Sequence, residues 1–150
     1  MQQYYYHLCP TFLEIGSIIK KGNFGRILSL YNANWSSPHI LQREQNLENI
    51  RSQCFQNKPS RLECAFVCSS LDNIKNYQNY INNVSQVIYK VKPVDDDYTY
   101  HIGDYHNLIP YNTEITMEQV AFNYWNGIIT SPSNIEILID SNILIVECLK

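Results

Sequence analysis

Two apolar segments near the end of the sequence constrain the fold of this 150-residue chain more than any other feature. Ile135–Ile139 and Ile143–Cys148 have the length and the β-branched composition of buried strands. The turn-forming residues Asp140, Ser141 and Asn142 separate them, and such a spacing is typical of a hairpin. We therefore expect the two segments to pair with each other and to close a sheet.

The remaining pattern mixes strands and helices without a regular alternation. Alternation and β-branched or aromatic composition predict strands over residues 4–8, 62–68 and 86–92. Apolar residues at helical spacing predict helices that begin near Pro38, after Ser69 or Ser70, and after a capping box at Thr116. We expect loops over residues 16–26 and 93–113. This order predicts an α+β domain with antiparallel pairing.

Length and composition narrow the class of protein. No linker or repeat divides the sequence, so we expect one domain over residues 1–150. The net charge of -3 argues against a protein that holds nucleic acid through phosphate contacts alone. No secretion signal or membrane-spanning segment is recognisable, and the five cysteines lack the C-x-x-C spacing of a zinc or redox site. We expect reduced thiols and a cytoplasmic protein without membrane contact.

The region 93–113 contains groups that could bind a metal ion. His101, Asp104 and His106 form an H-x-x-D-x-H pattern of nitrogen and oxygen ligands. Nothing else in the sequence completes such a site, so we interpret these side chains as solvated loop residues and expect no metal. The three aspartates at 95–97 are interpreted in the same way, as an acidic turn.

Two polar residues interrupt apolar strands. His7 follows three tyrosines in the first predicted strand, where a buried ring needs a hydrogen-bond partner. Glu136 interrupts Ile135–Ile139, where a buried carboxylate is costly unless it is paired or used in chemistry. Strand alternation alone favours a structural His7 and an exposed Glu136 at the start of an edge strand.

The order of four short segments resembles small bacterial ADP-ribosyltransferases of the rifamycin-modifying and toxin types. Tyr6-His7-Leu8, followed by residues 12–19, resembles their first strand and turn. Residues 65–72 resemble their second motif, although Phe66 stands where a tyrosine is frequent. Residues 89–93 resemble the strand before an acidic loop, and residues 135–140 resemble the strand of the catalytic glutamate. The resemblance implies a split, mixed or antiparallel sheet with flanking helices.

The resemblance also implies roles for individual residues. Glu136 would stabilise the positive ribose centre that forms when nicotinamide leaves NAD, with the loop aspartates Asp104 or Asp97 as the alternative acid. On the cofactor side, His7 and the neighbouring Leu8 would contact the adenine ribose, and Phe66 or Tyr77 would stack on the nicotinamide ring. Arg61 is either a pyrophosphate partner or a surface arginine, and His101 and His106 would help to recognise the acceptor.

The activity implied in this way is mono-ADP-ribosyl transfer from NAD, used as a co-substrate, to a macromolecular acceptor: RNA, DNA or protein. Small members of this superfamily modify antibiotics, proteins or nucleic-acid bases. The expected cytoplasmic location, the small size and the Glu136 strand favour a macromolecular target and a role as a toxin or anti-phage effector, with an antitoxin as its protein partner. Two alternatives stay open. One is a module that binds a nucleotide or a partner without catalysis, and the other is an antibiotic-modifying transferase.

Overall fold

In the computed structural model, residues 2–31, 38–81 and 86–149 are described. The strands in these ranges are β1 (Tyr5–Cys9), β2 (Ile18–Ile19), β3 (Ala65–Val67), β4 (Val87–Pro93), β5 (Tyr100–Asp104), β6 (Ile135–Ile139) and β7 (Ile143–Cys148). The helices are α1 (Asn23–Tyr31), α2 (Pro38–Cys54), α3 (Leu71–Tyr80) and α4 (Met117–Trp125). Short 3-10 turns cover Tyr105–Asn107 and Pro132–Asn134. The prediction of an α+β fold is confirmed.

The strands form two antiparallel sheets. The first sheet has the order β1-β4-β7-β2, and the second has the order β3-β6-β5. The sheets meet where Tyr6 and Cys68 exchange two backbone hydrogen bonds of 2.9 and 2.8 Å. Beyond this single bridge, β1 and β3 are not paired as a ladder.

The predicted hairpin between β6 and β7 is wrong, because the two strands belong to different sheets. The residues between them are bound elsewhere. Asp140 and Asn142 accept hydrogen bonds from the side chain and the backbone of Lys21, and Ser141 accepts one from the Asp95 amide. These long-range bonds direct the chain from one sheet to the other instead of folding it back on itself.

Three apolar clusters hold the layers together. Side chains from both sheets, such as Tyr89, Ile139 and Ile145, form the core between them. The outer face of the second sheet packs on α2 and α4 through a cluster that includes Leu138 and Trp125. Helix α3 covers the first sheet through Ile74. Each of these three clusters thus lies between a sheet and either a helix or the other sheet, as the burial of apolar surface requires.

Several local predictions are confirmed. Ser70 caps α3 by accepting from the Asn73 amide, and Thr116 and Gln119 form the predicted capping box of α4. Two predicted loops contain regular structure. The segment 16–26 holds β2 and the start of α1, and the segment 93–113 holds β5 and a 3-10 turn. Their polar composition concealed the pairing of β5 with β6.

Candidate functional site

A cavity of about 480 Å³ opens beside the point where the two sheets meet. Its wall is formed by residues of β1 and β3, by helices α1, α2 and α3, and by Glu136 at the start of β6. The volume lies in the range of small-molecule sites, about 300–1,000 Å³. Residues from the first and the second half of the chain meet here, and the cavity is therefore the candidate site.

Six residues singled out from the sequence line this cavity. They are His7, Leu8, Arg61, Phe66, Tyr77 and Glu136. Four others do not line it. Asp104 is buried at the end of β5 and His101 is buried against Trp125, so the interpretation of these two residues as solvated loop residues is wrong. The exposed ring of His106 packs beside Tyr80, and Asp97 is exposed.

Glu136 is buried rather than exposed, and β6 is the central strand of its sheet rather than an edge. The expectation drawn from strand alternation alone is wrong for this residue. Alternation along β6 puts the isoleucines at 135, 137 and 139 on the face toward the other sheet. Glu136 and Leu138 project to the opposite face, where α2 and α4 pack. A carboxylate in this position requires a buried partner.

Arg61 is that partner. Both carboxylate oxygens of Glu136 lie 2.9 Å from Nη1 of Arg61. The same nitrogen donates to the hydroxyl of Tyr124 at 2.8 Å, and Nε donates to Glu44 at 2.7 Å. Phe66 and Tyr124 also contact the cation, with ring centroids 4.9 and 5.2 Å from its Cζ. Arg61 is therefore not a surface arginine, and its three guanidinium nitrogens are engaged inside the protein.

The charges of this cluster balance. Arg61 and Arg43 face Glu44 and Glu136, and Arg43 donates to Glu44 at 2.9 Å. Burial alone lowers the pKa of Arg61, but the two carboxylates more than compensate and raise it, so the guanidinium stays charged. Burial raises the pKa of Glu136 above its ordinary value, with Arg61 opposing this effect.

His7 occupies the place where β1 and β3 separate. Its Nδ1–H donates to the backbone carbonyl of Phe66 at 2.7 Å, which leaves Nε2 as an acceptor in the neutral ring. Burial lowers the pKa of His7, although the Phe66 carbonyl opposes the shift. The ring therefore carries no charge near neutral pH.

Aromatic rings and cations complete the cavity wall. Phe24 of α1 meets Phe66 edge to face, with ring centroids 5.5 Å apart, and Tyr80 lies near Tyr77 at the end of α3. Burial raises the pKa of Tyr77, which keeps its hydroxyl protonated. Arg43 and Lys20 also line the cavity, and their side chains are more accessible than that of Arg61.

Sequence reasoning missed Glu44, Arg43 and Tyr124. Glu44 and Arg43 lie on the charged side of α2 and look like solvated helix residues, yet Glu44 is only 2% exposed. No local sequence pattern predicts this burial, because Glu44 is covered by Arg61, which is 17 positions away, and by helix α4. For Tyr124, the only signal in the sequence is the group of aromatic residues in α4.

Two kinds of feature are absent from residues 2–31, 38–81 and 86–149. There, no helix is long and apolar enough to cross a membrane. Within the same residues, no group of three or more histidine, cysteine or acidic side chains is arranged to hold a metal ion.

Comparison with known proteins places the chain in one family. No curated protein matches the sequence. Residues 14–150 match the family described as Protein of unknown function (DUF2441), and this match spans nearly the whole chain, including all the cavity residues except those of β1 and the adjoining Pro10. The chain belongs to the DUF2441 family.

Proposed function

We propose that the cavity binds NAD and that the protein transfers ADP-ribose from it to a macromolecular acceptor. The observation that carries the proposal is the meeting of His7, Phe66, Tyr77 and Glu136 in one cavity. His7, Phe66 and Glu136 come from three of the four segments that resemble ADP-ribosyltransferase motifs, and Tyr77 lies on α3, the helix that follows the second of these segments. The proposal also includes an ADP-ribosyltransferase-like split sheet, and the divergence of the two sheets beside the cavity supports this part of it.

The groups in the cavity wall suit the parts of a dinucleotide. The rings of Phe66 and Tyr77 offer surfaces for a planar base, and the Nε2 atom of His7 can accept a hydrogen bond from a ribose hydroxyl. Arg43 and Lys20 are the cations that can meet a pyrophosphate. Arg61 has its donors directed at Glu44, Glu136 and Tyr124, so in this proposal it holds Glu136 rather than the pyrophosphate.

Glu136 would act on the ribose next to nicotinamide. When the bond from the ribose carbon to nicotinamide breaks, its electron pair leaves with nicotinamide and the ribose becomes positive. A carboxylate held in place by Arg61 can stabilise this charge without reorganising. Each carboxylate oxygen has more than one acceptor position, so the bonds to Arg61 leave capacity for a ribose hydroxyl.

The wider role is proposed on the resemblance alone: a toxin or anti-phage effector, held by an antitoxin, that modifies RNA, DNA or protein in the cytoplasm. The five cysteines support a reducing compartment, because all of them are free thiols. Burial raises the pKa of Cys64 and of Cys68 to about 12, so these two cavity cysteines are poor nucleophiles.

A binding module without catalysis is the second candidate. The observation that favours it is the engagement of both Glu136 oxygens by Arg61, together with Phe66 in place of a tyrosine. The two candidates share the cavity and differ in turnover.

The experiment uses the purified protein with NAD labelled in the adenylate part and a cell lysate. Calorimetry measures NAD binding, and digestion with nuclease or protease identifies the labelled fraction. We expect label in a macromolecular fraction. Binding without release of nicotinamide would favour the binding module, and label on small molecules would indicate a small-molecule transferase. No NAD binding would refute the transferase and any module that binds NAD, and would leave only a module for another nucleotide or a partner.

A further inference from the structure

The buried ion cluster has one arginine between two carboxylates. Arg61 donates to Glu44 through Nε at 2.7 Å and through Nη2 at 3.3 Å, and it donates to Glu136 through Nη1. Glu44 itself lies on α2 and does not line the cavity. It therefore influences the cavity through its bonds to Arg61 and Arg43 and through its charge.

We propose that Glu44 is a positioning residue that shares Arg61 with Glu136 and thereby sets the pH at which Glu136 takes up a proton. A carboxylate that shares its cation with a second carboxylate gains less electrostatic stabilisation than one that has the cation to itself. The electrostatic effect of Glu44 on Glu136 is strong because the cluster is buried and little water screens its charges.

Other charged and titratable groups also influence the protonation of Glu136, but none of them supplies a second negative charge. The charged neighbours are Arg61, Glu44 and Arg43, and the neutral titratable neighbours are Tyr77 of α3, Tyr124 of α4, Tyr105 and Cys68. Burial raises the pKa of each of these tyrosines and of the thiol, so they stay uncharged in the range where a carboxylate titrates. Glu44 is thus the one negative charge that competes with Glu136 for Arg61 among the described residues.

The inference deepens the proposed function and rests on it only for its effect on activity. Glu136 must be ionised to stabilise a positive ribose, so the acidic limb of the pH–rate profile would follow its protonation. The protonation itself can be measured without any turnover. A protein that consumes no NAD would refute the proposed transferase and leave this inference to be decided by the titration.

The test is a titration of side-chain carboxyl carbons by NMR in protein labelled at glutamate, with Glu136→Gln used to identify the Glu136 signal. In Glu44→Gln the amide oxygen still accepts from Arg61, but the competing charge is gone. We expect the midpoint of Glu136 to fall by about one pH unit. If the protein turns over NAD, the acidic limb of its rate profile should move in the same direction.

Glu48→Gln is the matched control. Glu48 lies one turn further along α2 and pairs with Arg51 and Ser60, outside the cluster. Glu44→Asp keeps the charge and should preserve most of the wild-type midpoint. An unchanged midpoint in Glu44→Gln, or an equal shift in Glu48→Gln, would overturn the inference.

Arg43→Gln tests the same competition from the other side and keeps the inference falsifiable if Glu44→Gln does not fold. Arg43 pairs with Glu44 and lowers the pKa of Glu136 through its charge. Its removal leaves Glu44 dependent on Arg61 and should raise the Glu136 midpoint. A lowered midpoint in Arg43→Gln would contradict the proposed sharing.

Discussion

Glu136 and Asp104 are both buried carboxylates at the same end of the second sheet, yet their surroundings differ. Gly103 is paired with Glu136 and Asp104 with Ile135, so the two acids are neighbours in the register and lie on opposite faces. Asp104 accepts from the amides of His106 and Thr130 and from the Thr130 hydroxyl. Glu136 accepts from a single arginine beside a cavity.

This difference separates a structural carboxylate from a candidate catalytic one. Asp104 ties the 3-10 turn to the segment after α4 and has no contact with the cavity. Burial and charge alone do not distinguish the two residues. The number and kind of hydrogen-bond partners do, because backbone amides fix a carboxylate in place and leave it little capacity for a ligand.

The largest effect is expected from Glu136→Gln. If the proposed transfer is correct, removing the charge should lower NAD consumption by about 10²–10³-fold, since a preorganised charge stabiliser contributes on that scale. NAD affinity should change little, because the lost interaction belongs mainly to the transition state. Steady-state kinetics and calorimetry on the same preparations measure both. Nearly full activity in Glu136→Gln, with loss in Asp104→Asn, would reverse the comparison.

Asp104→Asn should act on stability rather than on the cavity. The amide group cannot accept from all of the His106 and Thr130 donors, and we expect a loss of about 1–3 kcal/mol of unfolding free energy. Urea denaturation measures the loss. Asp97→Asn, at an exposed position, is the control and should be nearly neutral. Equal stabilities of the two variants would show that the Asp104 bonds contribute nothing.

His7→Ala should weaken NAD binding by about tenfold, corresponding to about 1.4 kcal/mol for the lost hydrogen bond. The melting temperature should move by only a few degrees, because His7 is half-buried and has Phe66 as its bonding partner. His39→Ala, at an exposed position of α2, should bind like the wild type. Unchanged NAD affinity in His7→Ala, or an unfolded variant of a protein that never binds NAD, would make His7 purely structural.

His101 should give the smallest effect, a pH dependence of stability that arises where β5 packs on α4, on the same face of the sheet as Glu136. Burial lowers the pKa of His101 to about 4, although its bond to the Tyr124 carbonyl opposes the shift. The unfolded chain then binds more protons than the folded one between about pH 4 and 6.5. Stability should therefore fall by about 1 kcal/mol as the pH drops from 6.5 to 5.5.

Urea titrations at several pH values measure this slope. His101→Gln should flatten it, whereas His106→Gln should keep it because the His106 ring is exposed. The two histidines looked equivalent in the sequence, and the pair of variants separates a core position from a surface position. An identical slope in wild type and His101→Gln would contradict the buried, neutral ring.

The sequence was informative wherever the structure is local. The capping box of α4, the Ser70 cap of α3 and the apolar strand β6 were predicted correctly because each depends on neighbouring residues. The pairing of β6 and β7 was not, since Asp140 and Asn142 bind Lys21, about 120 positions away. Long-range bonds of this kind leave no periodicity in a single sequence.

The residues of the candidate site also differ in whether the sequence alone singled them out. Glu136 and His7 stood out because a polar residue in an apolar strand needs an explanation. Glu44 did not, because a glutamate on a helix rich in charges looks solvated. The position of Arg61 between Glu44 and Glu136 required the packing of α2 and α4 against the second sheet.

The single backbone bridge between Tyr6 and Cys68 has a consequence for how this fold can diversify. In a continuous sheet, neighbouring strands stay about 4.8 Å apart, and no ligand fits between them. Here the ladder ends after one pair, and side chains of β1 and β3 border the opening. Substitutions at these positions can alter ligand preference while both sheets keep their own hydrogen bonds. If the cavity binds a ligand as proposed, ligand selectivity and foldability depend on different parts of the protein, and one can change without the other.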